Sequence, residues 1–184
     1  MTEQNNLWAP WRINYILGLS EDSNTAKENN SQASETKECF ICHNLKNPQD
    51  DDKNLILWRT EYSVVILNRF PYNNGHLLIA PKNHIPDLSK ATDEQMLDMM
   101  KLIKESQRAL SLAVKPHGFN VGMNFSRCAG AGLPGHLHIH VVPRWNGDTN
   151  FMSVCSDTKV ISQSLAELLE LLKKVSSENK LPEL

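Results

Sequence analysis

Histidine and aliphatic residues alternate without a break from His136 to Val141, reading His-Leu-His-Ile-His-Val, with Val142-Pro143 behind them. A strand turns successive side chains to opposite faces. The run therefore predicts a strand with His136, His138 and His140 on one face and Leu137, Ile139 and Val141 entering a core from the other. Near neutral pH an imidazole serves as nucleophile, proton carrier or metal ligand. A catalytic row, a histidine-lined metal site and a plain surface ladder all satisfy the spacing alone.

The residues around this run supply a sheet for it. Asn54–Thr60 and Ser63–Asn68 are rich in Ile, Leu and Val and read as consecutive strands. Pro71-Tyr72-Asn73-Asn74-Gly75 is a turn, and His76–Ala80 is the return strand. Thr92-Asp93-Glu94-Gln95 is a capping box that opens a long helix with Met96, Met99, Met100, Ile103, Leu110 and Val114 on its apolar side; Lys115-Pro116 stops it. Phe119–Phe125 is a further strand. Ser164-Leu165-Ala166-Glu167 opens a C-terminal helix with Leu165, Leu168, Leu169, Leu172 and Val175 on one side. Hairpins with one main helix between them make this an α+β chain with a mainly antiparallel sheet.

Residues 1–38 read differently from 39–184. Leu7–Leu17 is aromatic and amphipathic, and Ser20–Glu38 is almost wholly polar, so the first segment is expected to be a leader and flexible linker before one folded catalytic domain. A chain of 184 residues with net charge -2 lacks the basic surface of a nucleic-acid binder, and no run is apolar enough for a membrane span. The polar start does not resemble a secretory signal, so a cytoplasmic location is expected. Cys39, Cys42, Cys128 and Cys155 are accordingly not expected to form a disulfide framework.

Two further patterns carry chemistry. Ala129-Gly130-Ala131-Gly132 has almost no side chain, so its backbone N–H groups can come close to an anion beside the histidines. Cys39-Phe40-Ile41-Cys42 has the spacing of half a zinc site, and with His43 it also matches a haem c attachment pattern; a redox dithiol or two ordinary thiols are the other readings. His43 and His117 read as surface residues, His76 as a hydrogen-bonded structural histidine, and Glu105–Arg108 as solvated helix surface. Arg144 and Trp145 stand where a cation and a ring could meet distal phosphates or a base, or where the ring could pack under the C-terminal tail.

The pattern His-φ-His-φ-His-φ-φ, met in full by His136–Val142, resembles the histidine-triad (HIT) superfamily of nucleotide hydrolases and transferases. Leu67-Asn68-Arg69-Phe70-Pro71 with Gly75-His76-Leu77-Leu78-Ile79 is similar to its nucleoside-binding hairpin, and Pro81-Lys82-Asn83-His84-Ile85 to the segment before its long helix. The resemblance implies that His138 attacks an α-phosphorus, that His140 and Asn124 hold phosphate oxygens, and that Asn68 meets the ribose. It implies a structural Zn2+ on Cys39, Cys42, His84 and His136, and a homodimer. Gly130, Gly132 and Arg144 complete the expected phosphate-binding set. Where many members carry Gln and Ser or Thr, this chain has Gly132-Leu133-Pro134-Gly135, which leaves the loop's work to backbone N–H groups. Trp8-Ala9-Pro10-Trp11-Arg12 and Pro143–Met152 resemble the bacterial diadenosine tetraphosphate phosphorylase branch, whose acceptor is inorganic phosphate. A dinucleoside polyphosphate or phosphoramidate hydrolase, and a zinc-stabilised adaptor without catalysis, are the alternatives.

Overall fold

The computed structural model describes residues 39–148 and 161–184. The expected leader and linker, Cys155 and the end of the segment that follows the triad lie outside the described residues. Among them are helix α1 (Phe40–Lys46), strands β1 (Ile56–Arg59), β2 (Ser63–Leu67) and β3 (Leu77–Pro81), helix α2 (Asp93–Val114), strands β4 (Gly118–Met123) and β5 (Ile139–Arg144), and helix α3 (Leu165–Asn179). The strands form one five-stranded sheet in the order β1-β2-β3-β5-β4, antiparallel at every junction. The α+β expectation therefore holds.

Local chemistry sets the helix ends. Thr92 Oγ1 accepts from Gln95 N–H while Gln95 Oε1 accepts from Thr92 N–H, closing the capping box that opens α2. Lys115 ends α2 in the left-handed conformation before Pro116. Ser164 Oγ accepts from Glu167 N–H at the start of α3. The short α1 falls where the sequence suggested only a cysteine pair.

Side-chain alternation divides the sheet as its pattern requires. Val65, Leu67, Leu77, Ile79, Leu137, Ile139 and Val141 pack against Met99, Leu102, Ala109 and Leu110 of α2 and Leu168, Leu169 and Leu172 of α3. The opposite face holds a smaller cluster of Ile41, Ile56, Val64, Ile66 and Ala80. His140 pairs with Leu78 in the β3–β5 ladder, so it shares the face opposite the helices. That face is where the site forms.

One reading of α2 needs correction. Its buried side runs through Met99, Leu102, Ser106, Ala109 and Leu110, while Met100 is 59% exposed on another side of the helix. Glu105 is not solvated: it is fully buried, and its carboxylate accepts from Arg108 and from the Glu183 N–H. The helical period puts it in line with Leu102 and Ala109, and the C-terminal tail covers it.

Candidate active site and metal centre

The ladder of β5 begins at Ile139, later than the alternation suggested. Before it the chain is held by Leu137 N–H donating to the Ile85 carbonyl (2.6 Å) and by His136 Nε2 against the Pro81 carbonyl (2.8 Å). The three histidines thus divide between two sites. His136 turns to the cysteines, while the His138 and His140 rings meet edge to face with centroids 4.9 Å apart.

His136 Nδ1 lies 3.2 Å from Cys39 Sγ and 3.5 Å from Cys42 Sγ, and Cys42 Sγ lies 3.2 Å from His84 Nδ1. One ligand atom from each of Cys39, Cys42, His84 and His136 falls within 4.8 Å of all the others, so these residues are positioned to bind a metal. A carbonyl can only accept, so the Pro81 contact assigns the proton to His136 Nε2 and leaves Nδ1 as a lone pair facing the sulfurs. Gly135 is where the loop passes His84, and a Cβ there would stand 3.4 Å from His84 Nε2.

The same reasoning assigns the other rings. His138 Nδ1 is 2.8 Å from the His136 carbonyl, so Nδ1 carries a proton, and Nε2 is the lone-pair nitrogen of the neutral ring. His76 Nδ1 accepts from Tyr72 N–H (3.1 Å), so its proton sits on Nε2, which points at His140 Nδ1 (2.9 Å). His140 Nδ1 therefore accepts, and its Nε2 carries the proton, 3.5 Å from Asn124 Nδ2. Asn68 Oδ1 accepts from Phe70 N–H, and its Nδ2 lies 3.1 Å from His76 Nδ1.

Burial favours the neutral form of His140 and His76. It pushes His140 down to about 4, with His138 adding to the shift, and His76 down to about 3, with His140 and then His138 adding. Burial likewise lowers His136. The Tyr72 ring covers the pair, stacked on His140 at 5.6 Å and tilted on His76 at 4.6 Å. His76 is only 1% exposed, and the sequence marked it as structural. Its position after Gly75 contained no signal of its partner, which lies on another strand.

The remaining predicted residues are placed as follows. Gly130 and Gly132 lie in an exposed loop with open space where a Cβ would stand. The N–H groups of Ala129 and Ala131 donate to the Ser126 carbonyl and that of Gly130 to Arg127, so these amides are engaged within their own turn. Arg144 is bidentate to Asp148 (2.7 and 2.9 Å) and donates to Asn120 Oδ1 (2.6 Å). It sits at the far end of β5, roughly 13 Å along the strand from His140. The structure does not bring it to the histidines. Trp145 Nε1 donates to the Lys115 carbonyl at the end of α2, and His117 Nδ1 accepts from Asn146 N–H.

The model of the HIT domain matches residues 49–147. An AP-4-A phosphorylase of Mycobacterium tuberculosis is 36% identical over 166 residues, spanning 90% of this chain and 81% of its own. An asymmetrical bis(5'-nucleosyl)-tetraphosphatase of Schizosaccharomyces pombe is 27% identical over 93 residues, half of each chain. In fold, a zinc-bound histidine triad family protein from Mycobacterium smegmatis superposes with a TM-score of 0.63 at 24% identity, covering 79% of this chain and 98% of its own. A chain whose alternating histidines, antiparallel sheet and family match all coincide in one region is a member of the histidine-triad (HIT) family of nucleotide-processing proteins.

Proposed function

We propose that this chain is a diadenosine tetraphosphate phosphorylase, which passes a nucleoside monophosphate through His138 to inorganic phosphate and yields ADP and ATP. One observation carries the reading: the bond from His138 Nδ1 to the His136 carbonyl, which leaves Nε2 as a bare lone pair. In the first step Nε2 attacks the α-phosphorus, the bond to the bridging oxygen breaks, and ATP leaves with that oxygen and its electron pair. In the second an oxygen of inorganic phosphate attacks the same phosphorus, the N–P bond breaks, and Nε2 regains its lone pair as ADP departs.

The neighbouring groups suit this path. His140 Nε2–H and Asn124 Nδ2–H are both donors only 3.5 Å apart, so they bracket an acceptor, here a phosphoryl oxygen whose negative charge they offset. Asn68 Oδ1 keeps a second lone pair for a ribose hydroxyl. The side-chain-free loop at Gly130 and Gly132 admits the phosphate chain, with backbone N–H groups from Gly132 onward in place of a side-chain donor. The 36% identity to an AP-4-A phosphorylase favours phosphate over water as acceptor.

Two thiolates and two imidazoles make a zinc donor set, and an ion held by Cys39, Cys42, His84 and His136 would have four protein ligands and a structural role. A homodimer forms through the outer edge of β4 and the side of α2 that exposes Leu97, Met100 and Leu112. No helix among the described residues is long and apolar enough to cross a membrane.

Incubation with diadenosine tetraphosphate, with and without phosphate, tests the reading by its products. ADP and ATP appearing only with phosphate is the expected result. AMP and ATP formed without it would make the protein a hydrolase, and nucleotide binding without turnover would make it an adaptor.

A further inference from the structure

The turn that leaves β5 ends in a carboxylate that the chemistry above does not use. The Asp148 side chain is 8% exposed and accepts from Arg144 Nε and Nη2, from Trp145 N–H (3.1 Å) and from Asn73 Nδ2 (2.8 Å). Asn73 is itself 6% exposed, and its amide also donates to the Pro143 carbonyl (3.0 Å). Both hydrogens of that amide are thereby committed to the end of the triad strand. The Asn73 backbone carbonyl in turn accepts from His76 N–H (3.2 Å).

We propose that Asp148, acting through Asn73, is a positioning residue for the His76–His140 pair. This rests on the nucleotidyl-transfer reading for its kinetic consequences, not for its geometry. Residues 68–76 join β2 to β3, and their path is set by a few anchors. One is Gly75, in the left-handed region at φ +79°, where a Cβ would approach Leu110 and Pro143 to 2.9 Å. Another is the Asn73–Asp148 link. Both tie the loop that holds His76 to the strand that holds His140. Arg144 neutralises Asp148, which allows a carboxylate to stay buried there, and this gives the cation a role away from the phosphates.

The tests are Asp148→Asn and Asn73→Ala in the full chain, read by steady-state kinetics with diadenosine tetraphosphate and phosphate, and by imidazole 15N shifts of the free protein. Each variant is expected to lower kcat roughly tenfold, the scale of one misplaced hydrogen bond, with KM within about twofold. The double variant should lose little more, because both residues act as one link. The His140 nitrogens should move toward the values of mixed tautomers. Asn120→Ala, which removes another partner of Arg144 but leaves Asn73 alone, should retain kcat. Wild-type kcat and wild-type shifts in a folded Asp148→Asn or Asn73→Ala protein would overturn the proposal. Asn73→Ala spares the Arg144 contact and decides the matter if Asp148→Asn does not fold. If the unaltered protein turns over no dinucleotide, the functional reading fails, while the 15N shifts still decide the positioning role.

Discussion

At His138 the decisive partner is a main-chain carbonyl, which cannot donate and so holds the ring in one tautomer. His76 is treated the same way by a main-chain N–H, which cannot accept, and it transmits the choice to His140 across a 2.9 Å contact. This makes His76 a donor by position and not a proton carrier, since burial holds it neutral down to about pH 3. The expected consequence is specific. His76→Gln keeps an N–H near His140 Nδ1 and should lose less than about tenfold in kcat. His76→Leu removes the donor and should lose about a hundredfold, within the range for a positioned proton-bearing group. Equal losses in the two variants, measured under saturating substrate, would show that bulk at this position matters and the donor does not.

Among the elements, α1 is short, and its seven residues have little intrinsic helical stability. Arg59 of β1 holds it: Nη2 donates to the Asn44 carbonyl and Nη1 to that of Leu45, while Nε and Nη2 engage Asp51. A cation at the C-terminal end satisfies orphan carbonyls and complements the helix dipole. Cys42 lies within α1, so Arg59 supports the cysteine–histidine cluster positioned to bind a metal without touching it. Arg59→Met should lower zinc affinity about tenfold, as for other supporting groups of metal sites, while metal analysis still finds about one ion per chain at saturating zinc. Chelator competition measures the difference. Unchanged competition would separate α1 from the centre. The sequence shows why some of this was legible and some not. Alternation, the Thr92 capping box and the Cys39–Cys42 spacing are local signals, and each marks its own element. Arg59 with α1, His76 with His140 and Glu105 with the tail pair residues far apart in the chain, and no local period encodes them. The charge of Arg144 is visible in sequence, whereas its pairing with Asp148 is not.

For the molecule as a whole, the site sits on the sheet face opposite α2 and α3, and its cost is that the neutral imidazoles of His76 and His140 must be buried there. His76 and His140 have folded-state values of about 3 and about 4, below the ordinary value of 6.5 that they regain on unfolding. Between these limits the unfolded chain binds more protons than the folded one. Stability therefore rises with pH through this window, is fully present above about pH 6.5 and is lost as pH falls toward 4. Each such histidine contributes a slope of about 1.4 kcal/mol per pH unit while it is charged only in the unfolded state. Carboxylates add their own acid sensitivity at lower pH, so the informative quantity is a difference between variants. Urea unfolding of wild type and His76→Leu at intervals from pH 7 to pH 4.5 should give curves that diverge at neutral pH and converge on acidification, because the variant has one fewer imidazole to protonate on unfolding. The gap should narrow by about one proton's slope below pH 6. Parallel curves across that range would mean that His76 is protonated in the folded protein, and with it the tautomer assignment at His140 would fall.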